Sequence, residues 1–262
     1  MYPRLNSIHA EVRRLAREAG LFLKRERTKF DSSRIEEKSA HNYVSYVDKE
    51  SEAFLVESLS RLLPEAGFVT EEGSATHRHE KYWWVIDPLD GTTNYIHNTA
   101  PYCVSIALRD ETEILLGVVY EVCREECFYA CKGGKSFLNG QEIQVSGVSD
   151  LDRAFIALGL PYQSEAYKPV ALRLIDRLYG QAGGCRLQGS AAAEICYVAA
   201  GRFEARIEAF LGPWDVAAAS LILTRAGGRI TDFSGGASWP SGDEVIASNG
   251  KIHPDILALL SP

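Results

Sequence analysis

Apolar positions three and four residues apart open the chain. Leu5, Ile8, Val12, Leu15, Ala19 and Phe22 predict an amphipathic helix over about residues 4–27, its outer face filled by Lys and Arg. The polar stretch from Thr28 to Tyr43, with Lys38 inside it, predicts a mobile loop, and Val44 to Val47 a short strand. Asp48 then suits the N-cap of a second helix running to about Leu62, with Phe54, Leu55, Ser58, Leu59 and Leu62 on one side. Phe68-Val69-Thr70 is a short apolar piece ending in Glu71-Glu72-Gly73, and Trp83 to Ile86 is an aromatic and β-branched run that fits a central strand. Tyr102–Arg109, Glu113–Glu121 and Cys127–Cys131 predict an antiparallel meander continuing through Gly140. The second half alternates: a strand over Phe155–Leu158, a helix over Tyr167–Tyr179, a small-residue helix over Ala191–Ala200 and a strand over Phe203–Glu208. A change of composition near residues 145–149 suggests two lobes, an α+β lobe over residues 1–148 and an α/β lobe over 149–262.

The chemistry gathers where the central strand runs into Asp87-Pro88-Leu89-Asp90-Gly91-Thr92-Thr93-Asn94. Pro88 has no N–H to donate and is expected to end the pairing, leaving Asp87 and Asp90 near the strand tip. Gly91 to Asn94 can open a short helix or tight turn whose free N–H groups suit an anion. Carboxylates for cations beside amides for a phosphate describe a metal-dependent phosphate site; an exposed Asx-type turn is the ordinary alternative. Further along, Pro213 fits a first helical position and Gly227-Gly228 a helix stop, which puts Asp215 in the first turn between them. The helix N-terminus should favour its ionised form and lower its pKa, whether it serves as a ligand or as a dipole-stabilised surface acid.

Composition narrows the classes. A chain of 262 residues with 46% hydrophobic content can bury a large core, and a formal net charge of −7 argues against a non-specific nucleic-acid binder. No apolar run approaches the roughly 18–20 residues of a membrane span, and the charged N-terminal stretch lacks a secretory core, so a cytoplasmic protein is expected. Of the six cysteines, Cys123, Cys127 and Cys131 recur every four residues. Paired C-x2-C spacing is missing, and alternation of Cys127, Tyr129 and Cys131 on one strand makes at least two thiols small buried apolar groups. His77 and His79 fall in a polar loop and read as solvated.

The Asp87–Asn94 string closely resembles the Asp-Pro-hydrophobic-Asp-Gly-Thr-Thr-Asn motif of the inositol monophosphatase family, within the lithium-sensitive, magnesium-dependent phosphatase superfamily. Val44-Ser45-Tyr46-Val47-Asp48, Glu71-Glu72-Gly73 and Trp214-Asp215-Val216-Ala217-Ala218 resemble its other segments, so that the likeness extends from about Lys38 to Ile252. Thr70 stands where the family usually has glycine, and Arg225 where members commonly have glutamate; neither replaces a ligand.

The resemblance implies an α/β fold, a layered α-β-α-β-α sandwich of the inositol monophosphatase and fructose-1,6-bisphosphatase type, and a homodimer. It implies that Glu71, Asp87 and the Leu89 carbonyl hold one Mg²⁺, that Asp87, Asp90 and Asp215 hold a second, and that a third, weaker ion sits near Glu71 through waters. Oxygen-only donors suit Mg²⁺ better than zinc or copper. In the implied reaction the ions activate a water, Thr92 backed by Asp48 and with Glu71 adjacent draws off its proton, and the N–H groups of Gly91 and Thr92 hold the phosphate. Asp90, the turn Gly189-Ser190-Ala191 and Glu208 would meet the polyol hydroxyls. Read without the resemblance, that turn fits close helix packing, and Glu208 serves equally as a strand-end surface acid. The Thr-Thr-Asn ending favours a polyol or sugar monophosphate such as myo-inositol 1-phosphate over adenosine 3′,5′-bisphosphate, whose branch usually has Thr-Lys-Glu. Histidinol phosphate and fructose 1,6-bisphosphate stay open, and a non-catalytic binding protein on the same fold is the alternative from another class.

Overall fold

The structure, a computed structural model, describes residues 2–31, 35–39, 42–73, 81–160 and 165–261. His77 and His79 lie outside these residues. The first half of the chain runs through α1 (Tyr2–Arg27), β1 (Ile35–Ser39), β2 (Asn42–Ser45), α2 (Tyr46–Leu62), β3 (Ala66–Thr70), β4 (Tyr82–Asp90) and α3 (Thr92–Ile96). It continues as a meander of β5 (Cys103–Arg109), β6 (Ile114–Glu121), β7 (Glu126–Cys131), β8 (Ser136–Leu138) and β9 (Gln141–Ile143). The second half contains β10 (Phe155–Leu158), α4 (Lys168–Leu178), β11 (Gly184–Arg186), α5 (Ala191–Ala199), β12 (Ala205–Ala209), α6 (Pro213–Arg225), β13 (Arg229–Thr231), β14 (Glu244–Ser248) and α7 (His253–Leu260).

Strands β3 to β9 form a seven-stranded sheet in sequence order, antiparallel except for the β3–β4 pair. A five-stranded sheet has the order β11-β10-β12-β14-β13. Alternation along the strands decides what each face meets. Val104, Ile106 and Leu108 of β5 join Leu116, Val118 and Tyr120 of β6 in a cluster with α1 and α2. Cys103, Ala107 and Val119 point the other way, into a second cluster with the alanine-rich faces of α5 and α6. Helix α5 also packs on β12 and β14, so the helix pair lies between the two sheets. A third cluster, Ile156, Leu158, Ala205, Ile207 and Ile246 against Leu174, Leu178, Ile256 and Leu260, seats α4 and α7 on the outer face of the smaller sheet. The layers are therefore α-β-α-β-α, as the resemblance implied. Close approach of the middle layer depends on Gly117 of β6, where a Cβ would lie 2.5 Å from the Ala218 carbonyl oxygen.

Three local expectations need correction. Part of the stretch read as a mobile loop is a hairpin, with Glu36 opposite Val44 and Ile35 opposite Ser45. Its polar composition hid the pairing, because a two-stranded ribbon with a solvated face needs few apolar residues. Ser45, not Asp48, is the N-cap of α2. Its Oγ accepts the Val47 N–H at 3.2 Å, and Asp48 answers as the N3 residue of a capping box. Nor does Pro88 end β4: Asp87 pairs with Ser105 and Asp90 with Cys103, three steps on one strand against two on its neighbour. The strand absorbs the proline in a bulge and resumes, which turns a break into a kink.

Candidate active site

That bulge sets the geometry of the site. Asp87 Oδ1 accepts the Leu89 N–H at 2.9 Å, closing an Asx turn over the proline. Gly91 then takes φ +91°, and a Cβ there would lie 3.0 Å from the Pro101 carbonyl oxygen, so the chain can enter α3 only through glycine. Asp90 is fixed from across the molecule. Its Oδ2 accepts Ser190 Oγ–H at 2.6 Å and the Ala192 N–H at 2.8 Å, while Oδ1 receives only a long contact of 3.3 Å from the Ala191 N–H. Ser190 precedes α5, yet its hydroxyl makes no capping bond and is turned to Asp90.

Asp215 lies in the first turn of α6, its Oδ2 accepting the Gly212 N–H at 2.6 Å. Carboxylate oxygens of Asp87, Asp90 and Asp215 all fall within 4.8 Å of one another, although the residues are separated by up to half the chain. Glu71, directly after β3, lines the same cavity of about 150 Å³, together with Leu89, Gly91, Thr92, Gly189, Ala191 and Glu208. A larger cleft of about 280 Å³, walled by Val85, Val216, Leu221, Trp239 and Pro240, is mainly apolar and gathers no such set of acids among the described residues.

Buried acids this close cannot all ionise without help. Burial, followed by the charges of Glu71, Asp90 and Asp215, holds the Asp87 carboxyl well above the ordinary range. Asp215 is also raised well above it, by burial and by Asp90, Glu71 and Glu208, and the Gly212 N–H offsets only part of that. The expected lowering at a helix N-terminus is thus reversed, because desolvation and three like charges outweigh one helix end. Asp90 is raised by burial, against the hydrogen bonds from Ser190 and Ala192. Such a set of oxygens fits a hard divalent cation, whose charge would replace the protons the acids otherwise keep.

Beside the acids, Thr92 Oγ1 sits 3.0 Å from Asp48 Oδ1 and 3.1 Å from the Leu89 carbonyl oxygen. Asp48 is fully buried, and its other oxygen accepts the Ser45 N–H at 2.9 Å and Ser45 Oγ–H at 2.6 Å. Burial raises its pKa.

Placed around this centre are the model of the inositol monophosphatase family, which matches residues 5–262, and relatives matched over nearly their whole length. The chain belongs to the inositol monophosphatase family. It is 34% identical to the Nus factor SuhB of Escherichia coli K12 over 259 residues, which cover 98% of this chain and 96% of that one. The SuhB structure from Bartonella henselae superposes with a TM-score of 0.90 at 32% identity, covering 95% of this chain and 96% of that one. The Thermotoga maritima IMPase gives 0.87 at 30% identity, with 96% and 95% covered. The family is metal-dependent, which agrees with the acidic cluster.

Sequence reasoning missed several members of the site. Tyr43 and Arg206 line the cavity, and Cys103 Sγ lies 3.5 Å from Asp90 Oδ2. Only Arg206 left a usable signal, the period-two placement two residues before Glu208 on β12. Glu208 is no surface acid: its side chain is 14% exposed and faces the cavity. Cys127 and Cys131 are half-buried against the first apolar cluster, whereas Cys123 is exposed.

Proposed function

We propose that the protein is a Mg²⁺-dependent phosphomonoesterase acting on myo-inositol 1-phosphate or a similar polyol or sugar monophosphate, as a cytoplasmic homodimer that does not bind nucleic acid. The observation that carries this reading is the meeting of Asp87, Asp90 and Asp215 within 4.8 Å, in one cavity with Glu71 and Thr92. Glu71, Asp87 and the Leu89 carbonyl would hold one ion; Asp87, Asp90 and Asp215 would hold the other, and a third would sit near Glu71. Bound divalent cations supply Lewis-acid charge and lower the pKa of water.

The chain does the rest. Thr92 Oγ1 takes the proton of the attacking water and passes its own to Asp48, which makes so weak a hydroxyl base competent. Asp48 suits that task because burial raises its proton affinity. Amides of Gly91 and Thr92 hold the phosphate oxygens. Asp90 Oδ1, the Gly189–Ala191 turn and Glu208 face the leaving polyol, while Ser190 serves from behind by fixing Asp90.

Phosphate release from polyol, sugar and nucleotide phosphates, with and without Mg²⁺ and with Asp87→Asn as the blank, tests the reading. The panel includes histidinol phosphate, fructose 1,6-bisphosphate and adenosine 3′,5′-bisphosphate. The expected result is Mg²⁺-dependent release, fastest from the polyol monophosphate and absent in the variant. Equal rates without metal would overturn it. Relatives carry the name Nus factor, which states no phosphatase activity; a second reading, a non-catalytic binding role on this fold, predicts that no ester in the panel is turned over.

A further inference from the structure

Strand β12 carries Ala205-Arg206-Ile207-Glu208-Ala209. Its alternation sends Ala205 and Ile207 into the outer apolar cluster, and Arg206 and Glu208 to the inner face, toward α5 and the cavity. Arg206 is 1% exposed, so a guanidinium lies in the interior of the protein beside the acidic cluster. A buried guanidinium left unpaired would be strongly destabilising, and this one is paired with two carboxylates, by charge alone with Glu194 and by a hydrogen bond with Glu208. Its Nε lies 3.1 Å from Oε2 of Glu194, a fully buried residue in the first turn of α5. Nη1 donates to the Ile207 carbonyl at 3.0 Å, and Nη2 donates to Glu208 Oε2. The planar fork is therefore held at both terminal nitrogens, and it holds one oxygen of Glu208 in turn.

The other side of Glu208 is fixed by an absence of side chain. A Cβ on Gly159 would lie 2.1 Å from both Cδ and Oε1 of Glu208, so the carboxylate packs closely against the bare backbone after β10. Arg206 holds Glu208 at one oxygen and the absent side chain of Gly159 leaves it room in the cavity wall. A salt bridge of this kind gives little stability over an apolar replacement, because desolvation cancels much of the attraction. What it does give is direction.

Resting on the reading of the site as a polyol-phosphate phosphatase, we propose that Arg206, held by Glu194, is the positioning residue for substrate selection. It aims the Glu208 carboxylate so that its remaining lone pairs accept a hydroxyl of the leaving group. Selection for hydroxyl-bearing esters is then built into the β12–α5 contact rather than into the metal ligands. Lysine cannot replace the arginine, since a single ammonium does not span Glu194 and Glu208 as a fork does.

The test compares kcat/KM for myo-inositol 1-phosphate with kcat/KM for phenyl phosphate, which has no hydroxyl to offer, in saturating Mg²⁺. In Arg206→Met the ratio of the two should fall about tenfold, mainly through KM of the polyol ester, as expected for one lost hydrogen bond to a charged group. Glu208→Gln should give a similar fall, and the Arg206→Met/Glu208→Gln pair should fall no further, because both changes remove the same contact. Arg206→Lys should restore only part of the ratio. If Arg206→Met fails to fold with Glu194 left unpaired, Arg206→Met/Glu194→Met removes both charges together and carries the same expectation. An unchanged ratio, or a double variant that falls by the product of the singles, overturns this inference while leaving the phosphatase reading intact. A wild-type protein that hydrolyses neither ester overturns both.

Discussion

Ser190 Oγ donates to Asp90 Oδ2 at 2.6 Å across a hundred residues of sequence, joining the loop before α5 to the bulged end of β4. Both groups are buried, so water cannot replace the bond if it is lost. Ser190→Ala should cost about 1.5–3 kcal/mol of stability, the range for a hydrogen bond to a charged group. Divalent affinity should fall about tenfold as Asp90 loses its orientation. Thermal melts and calorimetric titration check the two effects; an unchanged affinity would mean that Asp90 does not depend on this support.

The Thr92–Asp48 contact of 3.0 Å makes a separate prediction for catalysis. Thr92→Val should lower kcat by about 10²–10⁴, the usual worth of a positioned proton acceptor, while KM shifts little. Thr92→Ser should keep most of the activity. Asp48→Asn should lower kcat similarly, and the double variant should be little worse than either single, since the two groups act as one unit. Steady-state kinetics at saturating Mg²⁺ decide the matter; additive losses would separate the two roles.

Acid titration gives a third. In the metal-free protein Asp87, Asp90 and Asp215 have pKa values above their unfolded ones, chiefly through burial. Above the ordinary carboxylate value of about 4 the native state then binds more protons than the unfolded chain, so this contribution to stability is lost as pH rises through the native values. A divalent cation takes the place of those protons. The rise in Tm on adding Mg²⁺ should therefore grow between roughly pH 5 and pH 8. Half-buried His9 and buried His253, each held down to about 4 mainly by desolvation, act in the opposite direction, but equally with and without metal. The difference between paired melts isolates the acids, and a shift independent of pH would contradict their assignment.

How much of this was legible beforehand follows from the kind of signal each feature leaves. The meander, α5, α6 and the Gly227 stop follow local periodicity and turn chemistry, and they stand close to where the sequence puts them. The clustered acids were legible through motif resemblance, since nothing in periodicity brings Asp215 to Asp87. What stayed hidden depends on partners distant in sequence. Pro88 is tolerated because Asp90 resumes pairing with Cys103, and the pKa of Asp215 is set by acids on other elements. Ser190 serves Asp90 instead of its own helix, and Arg206 acquires meaning only when α5 brings Glu194 onto it.

The central claim is that separate acidic side chains converge to hold divalent cations at the kinked end of β4. Anomalous scattering from crystals of the wild-type protein soaked in Mn²⁺, a heavier stand-in for Mg²⁺, tests it most directly. The account predicts strong peaks within ordinary coordination distance of the Asp87, Asp90 and Asp215 carboxylates, with Glu71 as a further ligand, and their loss in Asp87→Asn. Absence of any peak there in the wild-type crystals, under conditions that saturate activity, would contradict it.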